Sequence, residues 1–425
     1  MFLLNLGARK TITGQPHGVI HNVSQVPSKI LACRPNFDSE MPAGVFVDPE
    51  LYLHSILDSA QHSNICSNLV SFPWIPGQAP EFKDKEMTLI EWRQELRQSF
   101  HWDPNLPGDD DTISTLVESC FDFEVSKGVS ALISPAPLIE NPEDQLGQQM
   151  KWLDLALDMG GGYQLPIYAT VALLDELLIH SEPESNNVLQ AIVDNIGVRD
   201  RIAGINLLVV RSRTSDVRIA DKRIVKSLLV LSNEFGATLG LDVLVNFADD
   251  LGLFCLAAGA KFFGSGFWRK QRQVHGENYI DTTGGRRFPH LYSARLLADL
   301  RSRDDLGAFL DANITYLLDG EYTEGSKELL DALKKGRSSD EVPAWVQSPN
   351  NDAAACLHRV QRLTLAAEEM NNSEDKLGLA LRWLQNAEMV ATYLAHRCQE
   401  SQFLGNLKHV GVWRTAFEEF AETMD

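Results

Sequence analysis

The sequence has no closely spaced cysteines. Its six, Cys33, Cys66, Cys120, Cys255, Cys356 and Cys398, come no nearer to one another than 33 residues. That spacing excludes CxxC redox motifs and paired-ligand zinc patterns. The histidines form no HxH or HExxH set, so neither a metal nor a cofactor is expected. Signatures of the G-x-S-x-G, Walker A and dinucleotide-binding kinds are also missing. Long apolar runs are lacking, since the longest reach about ten residues where a membrane helix needs about twenty. The opening Met1-Phe2-Leu3-Leu4 is followed by Arg9 and Lys10 before any apolar core forms, so no signal peptide is read there. Positive charge is scarce, with 38 Lys and Arg against 58 Asp and Glu and a net charge of −20. Such a surface does not coat nucleic acid or anionic membrane. A cytoplasmic protein with reduced, mostly buried cysteines is expected.

Within the 425 residues one pattern recurs: a short apolar run, a polar or small residue, then an amphipathic helical stretch. The runs are residues 44–48 (GVFVD), 68–72 (NLVSF), 129–134 (VSALIS), 165–171 (LPIYATV), 202–210 (IAGINLLVV), 237–244 (ATLGLDVL) and 261–267 (KFFGSGF). Near-continuous apolar strands between helices indicate a parallel sheet covered on both faces. An eighth strand is expected at residues 29–33 or 287–292. The fold class is therefore α/β, a (β/α)8 TIM-type barrel over residues 44–292, with an open doubly wound sheet as the alternative. Residues 1–43 read as an N-terminal segment of strands and irregular chain, and 75–115 as an insertion rich in proline and aspartate. Residues 293–425 read as a helical C-terminal region, whose stretch from Asp304 onward carries 21 acids and 11 bases.

Parallel α/β folds bind ligands at the carboxyl ends of their strands. The strand-end residues are Asp48, Ser71 with Trp74, Ser134, Thr170, Arg211, Asp242 with Asn246, and Ser265 with Gly266. Asp48 and Asp242 are the carboxylates among them, and a carboxylate closing an apolar strand suits a nucleophile or general base. Asp48-Pro49-Glu50 also reads as a helix cap followed by proline at the first helical position. Gly264-Ser265-Gly266 offers backbone N–H groups to a phosphate, or serves close packing.

Charge is more pointed. Residues 211–226 and 269–287 hold 11 cations and four acids, a local excess of +7 on the predicted active face. Arg211, Arg213, Arg269 and Arg272 suit a phosphate, with Trp268 for stacking. The alternative is that Lys222, Arg223 and Lys226 only solvate a helix or pair with acids of the tail.

The element order, the strand Leu239-Gly240-Leu241-Asp242, the segment AAGAKFFGSGFW and the arginine-rich loop resemble the tRNA-guanine transglycosylase-like superfamily over about residues 44–292. The resemblance implies a (β/α)8 barrel, strand-end aspartates (here Asp48 and Asp242) for base exchange at a glycosidic bond, and a basic nucleic-acid-binding face. The Cys/His zinc site usual in that family has no counterpart in this sequence.

The expected function is an enzyme acting on a phosphate-bearing nucleotide or nucleic acid, with Asp242 or Asp48 as nucleophile or base. Two alternatives stand beside it. One is an enzyme for a small phosphorylated metabolite. The other is a non-catalytic barrel subunit whose acidic helical region docks a protein partner.

Overall fold

A computed structural model describes residues 1–7, 14–33, 41–80, 87–212, 218–281, 288–346, 348, 351–398 and 407–424. Eight strands build the barrel. They are β1 (Phe2–Leu6), β2 (Gly18–Asn22), β3 (Gly44–Asp48), β4 (Leu132–Ile133), β5 (Ile167–Leu174), β6 (Gly204–Arg211), β7 (Asp242–Val245) and β8 (Phe262–Ser265). All pair in parallel, in the order β3-β2-β1-β8-β7-β6-β5-β4. Ser130 brings β4 against β3: its N–H donates to the Val45 carbonyl at 2.8 Å and its hydroxyl accepts from the Val45 N–H at 3.1 Å. The chain is thus a (β/α)8 barrel with a helical C-terminal extension.

The barrel starts at Phe2, not at Gly44. Its missing strands are β1 and β2, whose connecting sequence shows no amphipathic helical pattern and so falls outside the strand–helix rhythm. Residues 29–33 fall in the short helix Ser28–Ala32, and His290–Ser293 pairs antiparallel with Ala298–Arg301 outside the barrel. The run at 68–72 ends the helix Ser63–Leu69, whose Ile65, Cys66 and Leu69 are buried at helical spacing. The run at 237–244 is mostly not strand. A π-helical turn at Glu234–Thr238 and Gly240, at φ +69°, precede a strand that begins at Asp242.

Barrel helices start where the sequence supplies caps. Asp109 caps α1 (Asp110–Ser126) through the Thr112 N–H, and Asn141, followed by Pro142, caps α2 (Pro142–Gly160). Asn186 caps α3 (Asn187–Gly197) and Asp221 caps α4 (Lys222–Asn233). After β7 comes the short α5 (Gly252–Ala257). Three long helices end the chain: α6 (Ala353–Asn372), α7 (Lys376–Arg397) and α8 (Lys408–Glu422). Of these, α6 packs on β1 and α5, taking the place of a barrel helix after β8, while α8 packs on α4. Among the described residues no helix is long and apolar enough to cross a membrane. All six cysteines are free, and all but Cys33 are buried.

Candidate functional site

Side chains alternate between the two faces of each strand. The inward residues Leu3, Ile20, Phe46, Ile133, Tyr168, Leu244 and Phe262 form a buried cluster separate from the larger core between strands and helices. Phe46 lies 5.8 Å from Tyr168 and 5.9 Å from Phe262 between ring centroids.

Two residues further toward the carboxyl ends, the filling turns polar. Asn5 follows Leu3, Asn22 follows Ile20, Asp48 follows Phe46, Thr170 follows Tyr168, Asn206 follows Gly204 and Asn246 follows Leu244; all are buried. On β8 the equivalent position is Gly264, where a Cβ would stand 2.4 Å from Asn246 Oδ1 and 3.2 Å from Asn5 Oδ1. The polar layer occupies the room that a side chain there would take.

One hydrogen-bonded chain runs through this layer. Asn5 Nδ2 donates to Asn246 Oδ1 at 3.1 Å, and Asn246 Nδ2 donates to Asp48 Oδ2 at 2.8 Å. Asp48 also accepts from the Tyr52 hydroxyl at 2.8 Å and the Glu50 N–H at 3.0 Å. The Glu50 carboxylate accepts from the Ser24 N–H and hydroxyl at 2.6 and 3.0 Å. Burial pushes Asp48 up to about 6, against the downward pull of its three donors. Burial also raises Glu50 well above the carboxylate range, helped by the charge of Asp48 and opposed by Ser24 and Lys270. Two neighbouring buried carboxyl groups cannot both ionise cheaply, so the charge on one opposes ionisation of the other.

The backbone beside the site is strained. Glu50, Phe247 and Asp249 have φ of 50°, 52° and 50°, in the left-handed region that non-glycine residues rarely occupy. Such strain concentrates at functional sites. Within the layer, Asn5 Oδ1, both side-chain polar atoms of Asn22, and Asn206 Oδ1 are buried without a hydrogen-bond partner among the described residues. Buried amide groups left open cost about 1–3 kcal/mol each unless water or a ligand meets them.

The two aspartates singled out from the sequence lie at opposite ends of the barrel. Asp48 closes β3, whereas Asp242 opens β7, bonded to the Tyr168 hydroxyl at 2.9 Å and to Lys261 at 2.7 Å. Arg211 ends β6, buried, with Nη1 3.2 Å from Gln273 Oε1, and His275 pairs beside it. Arg213, Arg286 and Arg287 lie outside the described residues. Ser265 points away from the barrel interior, on the Phe263 side of the strand. The N–H groups of Phe267 and Trp268, just beyond Gly-Ser-Gly, donate to Gln271 Oε1 at 3.2 and 3.0 Å and are already engaged. Trp268 is half-buried and Arg269 exposed.

Arg272 turns inward. It bonds the carbonyls of Gly266 and Phe267 and pairs with Asp299 at 2.5 Å. There it joins Arg218, Arg359, Asp249 and Asp250 in a buried network linking the barrel to α6. Lys222 and Lys226 pair with Glu419 on α8 at 2.8 and 3.6 Å. Much of the local positive excess is therefore spent on internal acids.

Glu50, Tyr52, Asn5, Asn22 and Asn206 escaped the sequence reading. For Asn5 and Asn22 the signal is a polar residue two positions after an inward apolar one, legible only once the strands and their inward faces are known. Glu50 and Tyr52 lie beyond the end of β3 and Asn206 comes two positions after a glycine, so they carry no such signal. Among the described residues no group of three or more His, Cys, Asp or Glu is placed to hold a metal ion. No protein-family model matches the chain, and no curated protein matches it.

Proposed function

We propose that the protein is a barrel enzyme acting at the glycosidic bond of a nucleoside or nucleotide, with Asp48 as the reacting carboxylate. The observation that carries this reading is the buried Asp48–Glu50 pair set beside asparagine side chains that are only partly satisfied, with both polar atoms of Asn22 and the Oδ1 atoms of Asn5 and Asn206 open among the described residues. An amide offers both a donor and an acceptor, the pattern presented by a nucleobase edge or a sugar hydroxyl. Asp48, ionised above about pH 6, serves as nucleophile or base. Glu50, held protonated to higher pH, is the neighbouring acid for the departing base. Arg211 and Arg269, at the carboxyl ends of β6 and β8, supply positive charge for a phosphate.

The test is base release or base exchange from a panel of nucleosides and 5′-phosphates, followed chromatographically. Asp48→Asn is expected to lower the rate at least a hundredfold, and Glu50→Gln to remove the basic limb of the pH profile. Turnover retained by Asp48→Asn, or no turnover of any panel member by the wild-type protein, overturns the reading.

A further inference from the structure

A cavity lies away from the barrel mouth, in the seam where α5, α6 and α7 meet the segment between His290–Ser293 and Ala298–Arg301. Its volume is about 380 Å³, within the range of small-ligand sites. The floor is apolar: Leu253 and Leu297 are buried there, with Ala366 beside them. Leu297 sits at φ 51°, a strained conformation for a leucine, held where it lines the cavity.

One wall is charged. Glu321, 1% exposed, gives Oε1 to the Ser293 hydroxyl and the Arg295 N–H at 2.8 and 3.0 Å. Its Oε2 lies 2.9 Å from Arg362 Nε, yet neither atom makes a hydrogen bond. The half-buried guanidinium of Arg362 thus faces Glu321 as an ion pair while its N–H groups make no hydrogen bond among the described residues. The half-buried indole of Trp383 forms the opposite wall, and Arg295 and Glu369 stand exposed at the rim.

We infer that this cavity binds a small monocarboxylate with an aromatic or bulky apolar body. The planar edge of Arg362 matches a carboxylate bidentately. The indole and the leucine floor accept the apolar body. The lining's two arginines and two glutamates cancel, so the pull on an anion comes from the Arg362 edge alone, and a dianion is repelled more strongly than a monocarboxylate by the buried Glu321. The site is independent of the Asp48 chemistry.

Phenylacetate, phenethylamine and phenyl phosphate are the probes, titrated calorimetrically into the full chain. Phenylacetate is expected to bind saturably, with the amine and the phosphate at least tenfold weaker. Arg362→Lys keeps the charge opposite Glu321 but loses the planar fork, and is expected to weaken phenylacetate about tenfold. Ala366→Phe fills the floor and is expected to abolish binding. Should either variant fail to fold, p-bromophenylacetate soaked into wild-type crystals locates the site by its anomalous bromine signal. Bromine density between Trp383 and Arg362 supports the inference. Density elsewhere, absence of saturable binding, equal or tighter binding of the amine or phosphate, or unchanged binding by a folded Ala366→Phe overturns it.

Discussion

Asn246 reaches across the barrel to Asp48, its Nδ2 donating to Oδ2 at 2.8 Å between strands β7 and β3, which are not neighbours in the sheet. The bond favours the ionised form of Asp48, one of three that hold its pKa to about 6 against burial. Asn246→Ala removes that donor and opens the link to Asn5. A hydrogen bond to a charged group is worth about 1.5–3 kcal/mol, so Asp48 should titrate about one to two units higher. Carbon-13 NMR of the aspartate carboxyls checks this, and an unmoved titration refutes the role given to Asn246.

Asp48 also sets a pH dependence of stability. Its folded pKa, about 6, exceeds its ordinary 3.8. Between those values the folded chain holds a proton that the unfolded chain has released. Stability therefore falls as pH rises through that window, by about 1.4 kcal/mol per unit for this group. Asp249 and Asp299, lowered by their arginines despite burial, act in the opposite sense and lose their contribution as pH falls. The readout is the difference between wild type and Asp48→Asn in urea unfolding from pH 4 to 7. The variant should gain relative to wild type as pH rises, and a constant difference would remove Asp48 from the account.

The C-terminal helices were legible because their apolar residues recur at three and four: α6, α7 and α8 fall within the region 293–425 read as helical. Barrel strands with continuous apolar runs, such as Gly204–Arg211, were legible for the same kind of reason. β1 and β2 were not, because the sequence between them shows no amphipathic helical pattern. Asp242 misled because the apolar run before it is a π-turn and loop, which placed the residue at the wrong end of its strand. Asp48 was legible as a strand-ending carboxylate. Arg218 and Arg272 were legible as cations, but their partners Asp249, Asp250 and Asp299 are distant in sequence, so charge counting could not separate these two, which sit in an internal network, from the other cations of the two windows.

That network makes Arg359 a strong determinant of stability. The side chain is 1% exposed on α6, pairs with Asp249 and Asp299, and bonds the Gly266 carbonyl at 3.2 Å. Arg359→Met preserves much of the volume but leaves Asp249 and Asp299 with only Arg218 and Arg272 to face them, and breaking into a buried ion network by removing one partner typically costs up to about 3–5 kcal/mol. Equilibrium urea unfolding measures the loss, and adding Asp299→Asn should restore part of it. A loss below about 1 kcal/mol would show that the network relaxes around the missing charge.

Gly264 tests the polar layer without touching an ionisable group. Its φ is ordinary, so alanine brings no backbone strain, only a Cβ placed 2.4 Å from Asn246 Oδ1 and 2.9 Å from Ile20 Cδ1. Neither neighbour yields freely, since Ile20 is core and Asn246 is held by Asn5 and by its own bond to Asp48. Overpacking of this kind costs about 1–3 kcal/mol. It should also turn Asn246 away, raising the Asp48 titration in the same direction as Asn246→Ala. Asp242→Asn, at the other end of the barrel and partly exposed beside Lys261, is the control. Removing that exposed pair should change stability by at most about 1 kcal/mol and leave the Asp48 titration where it is. If Gly264→Ala loses stability while Asp48 titrates unchanged, the glycine serves packing alone and the polar layer does not depend on it.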